Sequence, residues 1–167
     1  MKTQIIYWVF GAMVAIVCFA GCGSDDEEQP REIKTSYPMG PVSDPGISGT
    51  ITFTKIDAAS TLVTIELTGT ASGDTHPTHI HANSASDGGP IVIDLNSVNG
   101  ATGTSETTVT QLDDGTAITY EGLLSFDGHA NVHHSPAMMS TLVAQGNIGS
   151  NHSGGGSGGD GNGNGGY

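Results

Sequence analysis

The chain has 167 residues, of which 17 are acidic and 4 are basic, so its formal net charge is −13. The region from residue 46 to residue 150 contains one lysine and no arginine. Nucleic acids and anionic lipid headgroups are bound by clustered Lys and Arg side chains, so this composition argues strongly against both as partners. The acidity is compatible with cations, and it also serves to keep an exported protein soluble.

The first 21 residues have the organisation of a secretory signal. Lys2 precedes an apolar run over residues 5–20, and small residues follow up to Gly21. A short basic start, a short apolar stretch and small residues at its end are typical of a signal peptide. The run is at or below the lower limit for a membrane-spanning helix. We therefore predict that residues 1–21 are a signal peptide.

Cys22 directly follows this segment and is part of a second targeting signal. The ending Ala20-Gly21-Cys22 resembles the lipobox of bacterial lipoproteins, in which a peptidase cuts before the cysteine. The resemblance implies that Cys22 becomes the lipidated first residue and anchors the protein to a membrane through several acyl chains. An ordinary signal peptide with an incidental cysteine is the alternative. Because the other cysteine, Cys18, leaves with the signal, we expect no disulfide within the mature domain.

Residues 22–45 are predicted to form an acidic, proline-rich tether. The acidic run over residues 25–28 is a solvated, self-repelling spacer. It also resembles the export signal that sends lipoproteins of the Bacteroidetes group to the outer face of the outer membrane. That resemblance implies a surface-exposed lipoprotein, and a periplasm-facing one is the alternative. Four prolines are expected to break regular structure here: Pro30, Pro38, Pro41 and Pro45.

Short β-strands separated by turn residues are predicted for residues 46–150. Alternating apolar and polar residues mark strands at 49–54 and 61–67, joined by a hairpin loop at 57–60. A polar loop is predicted at 96–105, and no helical periodicity is visible after the signal. The remaining predicted strands cover residues 79–81, 91–95, 107–112, 117–124, 129–134 and 141–148. The pattern predicts an all-β, antiparallel Greek-key sandwich or barrel of about eight strands.

The segment after this domain differs sharply in composition. Residues 151–167 consist almost entirely of Gly, Asn, Ser and Asp. Such a segment has no apolar surface to bury, so we predict that it is a disordered tail.

Two histidine clusters lie in the predicted strands. In His79-Ile80-His81, alternation directs Ile80 into the core and both histidines to the opposite face. In the later cluster, His133 similarly faces away from the core. If the two strands meet, His79, His81 and His133 would bind copper or zinc and leave one coordination position open. The alternative is that the imidazoles form cross-strand hydrogen bonds that fix the strand register.

Other potential ligands lie close to these three histidines in the sequence. His76 precedes Pro77 and is expected in a loop, whereas His129 shares a strand face with His133. Each is a candidate extra ligand. Met138 and Met139 form an adjacent pair, which usually serves as adaptable apolar filler, although thioethers also suit Cu(I).

Four patches over residues 46–150 resemble the CHRD domain, which was first named in chordin. They are Thr78-His79-Ile80-His81, the run from Gly89 to Leu95, Asn131-Val132-His133, and the run from Ala144 to Gly149. The resemblance implies a β-sandwich fold. Membership of this family implies no settled biochemical activity.

His-Ile-His, a later Val-His and a final Gly-Asn-Ile-Gly strand also resemble, more distantly, the frame of Cu/Zn superoxide dismutase. That resemblance implies copper ligands at His79, His81 and His133. Several features of the enzyme are missing, because no histidine lies between Ala82 and Gly128 and the domain contains no arginine. The acidic charge would also repel superoxide. These departures disfavour superoxide dismutation.

Three functions remain open at this point. The favoured one is a non-enzymatic, lipid-anchored CHRD module, at the cell surface or in the periplasm, that binds copper or zinc, or a protein or glycan partner. The second is a structural or adhesive β-domain without a metal. The third is a redox enzyme of the superoxide dismutase type.

Overall fold

Eight antiparallel strands form a closed barrel in the structure, a computed structural model that describes residues 31–44 and 46–152. This architecture confirms the predicted all-β, antiparallel fold. The strands are β1 (Lys34–Pro41), β2 (Ser48–Lys55), β3 (Thr61–Thr68), β4 (Thr75–Ala82), β5 (Ile91–Asn99), β6 (Thr104–Val109), β7 (Asp127–His133) and β8 (Leu142–Gly149), and a short helix, α1 (Tyr120–Leu124), precedes β7.

The strands follow one another around the barrel in the order β1-β2-β3-β6-β5-β4-β7-β8. Strands β4, β5 and β6 are consecutive neighbours, and β7 returns to pair with β4, which is a Greek-key connection. The join between β5 and β6 is short, with Asn99 opposite Thr104. The join between β1 and β8 is also short. One half of the barrel therefore consists of β5, β4, β7 and β8, and the predicted histidine site lies on this half.

Alternate residues of the strands fill the interior of the barrel. Ile51 and Phe53 of β2 are fully buried, and so are Ile80 of β4 and Val132 of β7. A fully buried side chain of this size contributes about 1.5–3 kcal/mol to stability. Because side chains alternate along a strand, the neighbours of these residues point to the outside of the barrel.

The barrel begins earlier in the sequence than predicted. Strand β1 lies inside the segment that was predicted to be a tether, so the expectation that Pro38 and Pro41 break regular structure is wrong. Thr35, Tyr37 and Met39 are buried on one face of β1, and both prolines occupy exposed positions. Proline is tolerated in a strand where its missing N–H is not needed for pairing. The predicted signal peptide, Cys22 and the acidic run lie outside the described residues.

Two further local predictions are wrong. Most of the predicted polar loop at 96–105 belongs to strands, because β5 continues to Asn99 and β6 begins at Thr104. The predicted strand at 117–124 contains helix α1 instead. Thr119 caps this helix by accepting a hydrogen bond from the backbone N–H of Gly122 at 3.1 Å. Short apolar runs do not distinguish a strand from a buried helical turn.

Only the first two residues of the predicted tail can be compared with the structure. Asn151 and His152 are described and follow β8 in a turn, whereas residues 153–167 lie outside the described residues. Within residues 31–44 and 46–152, no helix has the length and apolar character needed to cross a bilayer.

Candidate metal centre

Strands β4 and β7 are direct neighbours, so the Greek-key connection brings the two histidine clusters together. His79 lies opposite Asn131, and His81 lies opposite His129. Ile80 and Ala130 of the same strands are fully buried in the core. The histidines therefore lie on the outer face of the barrel, as the alternation predicted. His79, His81 and His133 each offer one nitrogen, and these three nitrogens lie within 4.8 Å of one another.

This outer face is covered rather than open to solvent. His79 and His133 are each only 7% exposed, and His81 is partly buried. Two loops contribute backbone oxygens to the site: residues 83–90 between β4 and β5, and residues 134–141 between β7 and β8. Burial matters for the chemistry, because a nitrogen withdrawn from water needs another partner.

One nitrogen of His81 and one of His133 are held by these loops. The Nδ1–H of His81 donates to the carbonyl oxygen of Gly89 at 2.9 Å, and that of His133 donates to the carbonyl oxygen of Met139. A carbonyl oxygen can only accept, so each Nδ1 carries the proton and each Nε2 keeps a lone pair. The Nε2 of His81 is buried and has no hydrogen-bond partner within the described residues.

His79 has an acceptor beside each ring nitrogen. Its Nε2 lies 3.0 Å from the carboxylate oxygen Oδ1 of Asp94, and its Nδ1 lies 3.1 Å from Nε2 of His133, which has a lone pair. A neutral ring has one N–H, so His79 can donate to only one of these two acceptors at a time. When the proton faces Asp94, Nδ1 of His79 and Nε2 of His133 both keep lone pairs and can coordinate one cation.

The electrostatic environment favours neutral rings. Burial lowers the pKa of His79, and the nearby carboxylates of Asp94 and Asp113 oppose this effect only in part. Burial likewise lowers the pKa of His133. Neutral imidazole is the form that binds metal ions. Ligand histidines in metalloproteins usually donate their second N–H to a carboxylate or a carbonyl. His81 and His133 meet this condition, and His79 has a carboxylate oxygen at 3.0 Å.

His129 lies beside the three histidines but is not one of the group. It is 1% exposed, and its ring stacks on that of His81 with centroids 5.1 Å apart and planes at 20°. Its Nδ1–H donates to the carbonyl oxygen of Asn83 at 2.8 Å. Burial lowers the pKa of His129. This candidate extra ligand therefore packs against His81 and fixes the orientation of its ring.

His76, the other candidate extra ligand, lies within β4, so its predicted position in a loop is wrong. Strand β4 continues through Pro77 by means of a bulge between His76 and Thr78. His76 is 2% exposed, and its Nδ1–H donates to the backbone oxygen of His133 at 3.1 Å. It does not belong to the group of three nitrogens. Its contact holds the backbone of His133, a candidate ligand.

The partners of the three histidines were not found from the sequence. Asp94 alternates with the buried residues Ile93 and Leu95, so its outward orientation could have been predicted. Its position opposite His79 depends on the pairing of β4 with β5. Gly89 and Met139 act through their backbone carbonyls, which any amino acid has, so the residue type does not reveal the contact. Only the strand pairing and the loop conformation reveal these three partners.

Comparison with known proteins adds no assignment to this geometry. No protein-family model matches the chain. No curated protein matches it either.

Proposed function

We propose that this protein is an exported, lipid-anchored CHRD-type β-domain that binds one copper or zinc ion. The ligands are Nδ1 of His79 and Nε2 of His81 and His133. One observation carries the proposal: one nitrogen from each of the three buried or partly buried rings lies within 4.8 Å of the other two. The loops hold Nδ1–H of His81 and of His133, which leaves Nε2 of both rings with a lone pair for an ion.

The chemistry of the ligands narrows the choice of ion. Imidazole suits Cu, Zn and Ni, whereas Ca²⁺ and Mg²⁺ require oxygen ligands. Three neutral rings leave an open coordination position for water or another ligand. The resemblance to the Cu/Zn superoxide dismutase frame implies copper ligands at the same three residues, so copper is the first ion to test.

A binding role is favoured over catalysis. The domain region contains no arginine that could guide an anionic substrate, and no histidine lies between Ala82 and Gly128 to bridge a second metal. The signal-like segment and Cys22 support an exported protein anchored through lipid to the outer membrane, at the cell surface or facing the periplasm. A structural or adhesive domain without a metal is the alternative.

A titration tests the proposal. Mature chain that carries Cys22→Ser, which removes the competing thiol, is titrated with Cu(I), Cu(II) and Zn²⁺ in a competition assay. We expect one equivalent of copper or zinc to bind, and we expect the His79→Ala/His81→Ala double variant to lose it. His134→Ala is the matched control, because His134 is exposed and lies outside the group. Copper or zinc binding of unchanged affinity in the double variant would contradict the proposal, and so would an absence of binding in the parent chain.

A further inference from the structure

The loop from His134 to Thr141, here called the covering loop, contacts the proposed metal centre through Met139. His134 N–H donates to the carbonyl oxygen of Thr141 at 2.8 Å, and Thr141 N–H donates to that of Met138 at 3.1 Å. Met139 accepts the Nδ1–H of the ligand His133. The backbone of the loop is therefore folded on itself and attached to one of the three ligands.

Two methionine side chains extend from this loop into solvent. Met138 is 46% exposed and Met139 is 39% exposed, whereas Met39, in the core, is 2% exposed. Methionine that serves as packing filler is buried in irregular apolar gaps, as Met39 is. The exposure of two adjacent thioethers is therefore not explained by packing.

The two thioethers lie on the loop that contacts a candidate ligand. The rings of His79 and His133 are buried, and the covering loop is hydrogen-bonded directly to His133. Standard bond lengths keep the sulfur of Met139 within about 6 Å of its own carbonyl oxygen, which contacts His133. Thioethers select soft ions, and Cu(I) is the soft ion among those that imidazole also binds.

We propose that Met138 and Met139 form an entry site that captures Cu(I) and passes it to His79, His81 and His133. This inference rests on the proposed function of the three histidines. Thioether–copper bonds break as imidazole–copper bonds form. Copper stays in the +1 state, and no proton is released, because each neutral ring keeps its one proton on the nitrogen that faces an oxygen.

Silver(I) is a redox-stable probe for the entry site. In mature chain with ¹³C-methyl-labelled methionine, Ag(I) is expected to shift the methyl signals of Met138 and Met139 in the parent protein. The same shifts are expected in the His79→Ala/His81→Ala variant, since the entry site does not need the histidines. Met39 is an internal control, and its signal should stay in place because it is buried.

Loading kinetics test whether Cu(I) passes from the entry site to the histidines. The Met138→Leu/Met139→Leu variant keeps apolar side chains of similar size but removes both sulfurs. We expect loading from a Cu(I) chelate to slow by about tenfold, the lower end of what pre-concentrating an ion at a site contributes. The final stoichiometry and affinity should stay unchanged. Ile56→Leu, on an exposed residue of the β2–β3 hairpin, is the matched control.

The outcomes separate this inference from the proposed function. If the parent chain binds one copper ion but neither the methyl signals nor the loading rate responds, the entry site is refuted and the histidine centre stands. If the methyl signals shift but the histidines take up no copper, the thioether site stands and transfer to the histidines is refuted. Methyl shifts together with slower loading of the leucine variant support the entire inference.

Discussion

At the scale of single residues, the tautomer of each histidine decides the chemistry of the candidate centre. The carbonyl oxygens of Gly89 and Met139 fix the protons of His81 and His133 on Nδ1. Asp94 competes with Nε2 of His133 for the proton of His79. When that proton faces Asp94, the nitrogens of His79 and His133 that face each other are both free to bind an ion.

Replacing Asp94 by Ala tests this role of the oxygen partners. We expect metal affinity to fall by about tenfold, the lower end of the effect of such outer partners, because the Asp94 side chain is 75% exposed. Asp94→Asn should lower the metal affinity less, because its amide oxygen can still accept the Nε2–H of His79. Asp114→Ala, which removes an exposed charge next to Asp113, is the control for electrostatic attraction alone. Equal losses in Asp94→Ala and Asp114→Ala in a competition titration would contradict a role for the contact.

The buried histidines also predict how the metal-free protein responds to pH. Burial lowers the pKa values of His79, His129 and His133 in the folded state. As pH falls below about 6.5, the unfolded chain takes up protons first. The free energy of unfolding should therefore fall with decreasing pH from that point and level off at higher pH. Urea denaturation measures the free energy of unfolding between about pH 5 and pH 8, a range that brackets the ordinary histidine pKa. A flat profile through that range would contradict the burial of neutral rings.

At the scale of strands, a contact between His76 and the end of β7 holds the backbone of the candidate centre. The register between β4 and β5 shifts at Pro77, which has no N–H to donate. The imidazole of His76 supplies a donor to the backbone oxygen of His133 instead. A side chain thus connects β4 to the part of β7 that carries a proposed ligand.

His76→Ala is expected to weaken both the fold and the centre. The loss of a donor to a buried carbonyl should lower the free energy of unfolding by about 1–3 kcal/mol in the metal-free protein. Metal affinity should fall as well, because the backbone of His133 is no longer held. Denaturation and competition titration measure the two effects, and His134→Ala is the control. A His76→Ala variant that matches the parent chain in both assays would show that the contact is unimportant.

Individual strands could be predicted from the sequence where alternation is regular. Strand β3 and the outward orientation of His79 and His81 follow from alternate apolar residues. Strand β1 was missed because Pro38 and Pro41 suggested a tether, although Tyr37 and Met39 alternate correctly for a strand. The one-turn helix α1 was missed because five residues carry too little periodicity to be recognised.

At the scale of the whole molecule, the candidate centre depends on closure of the barrel. His81 and His133 are far apart in sequence and meet only because the Greek-key connection places β7 beside β4. Matching histidine spacing suggested this convergence, but spacing alone does not determine which strands pair. The covering loop and the loop over residues 83–90 likewise become part of the site only in the folded barrel.

A truncation tests whether the domain needs β1 to close the barrel and fold. A chain that begins at residue 46, where the sequence placed the domain start, lacks β1 and exposes the edges of β2 and β8. The lost burial of Tyr37 and Met39 is a large share of the roughly 5–15 kcal/mol that stabilises a typical domain. We expect this chain to be unfolded or aggregated by circular dichroism, whereas a chain that begins at residue 32 melts cooperatively. A cooperative transition in the shorter chain, at the same temperature, would contradict a structural role for β1.

The most direct test of the centre is a crystal structure of the mature chain loaded with copper or zinc. We expect one ion bound by Nδ1 of His79 and by Nε2 of His81 and His133, at about 2.0–2.1 Å if the ion is zinc. The rings should keep their contacts with Asp94, Gly89 and Met139. An ion bound elsewhere, or an empty site with His79 and His133 still in direct contact after loading, would contradict the assignment.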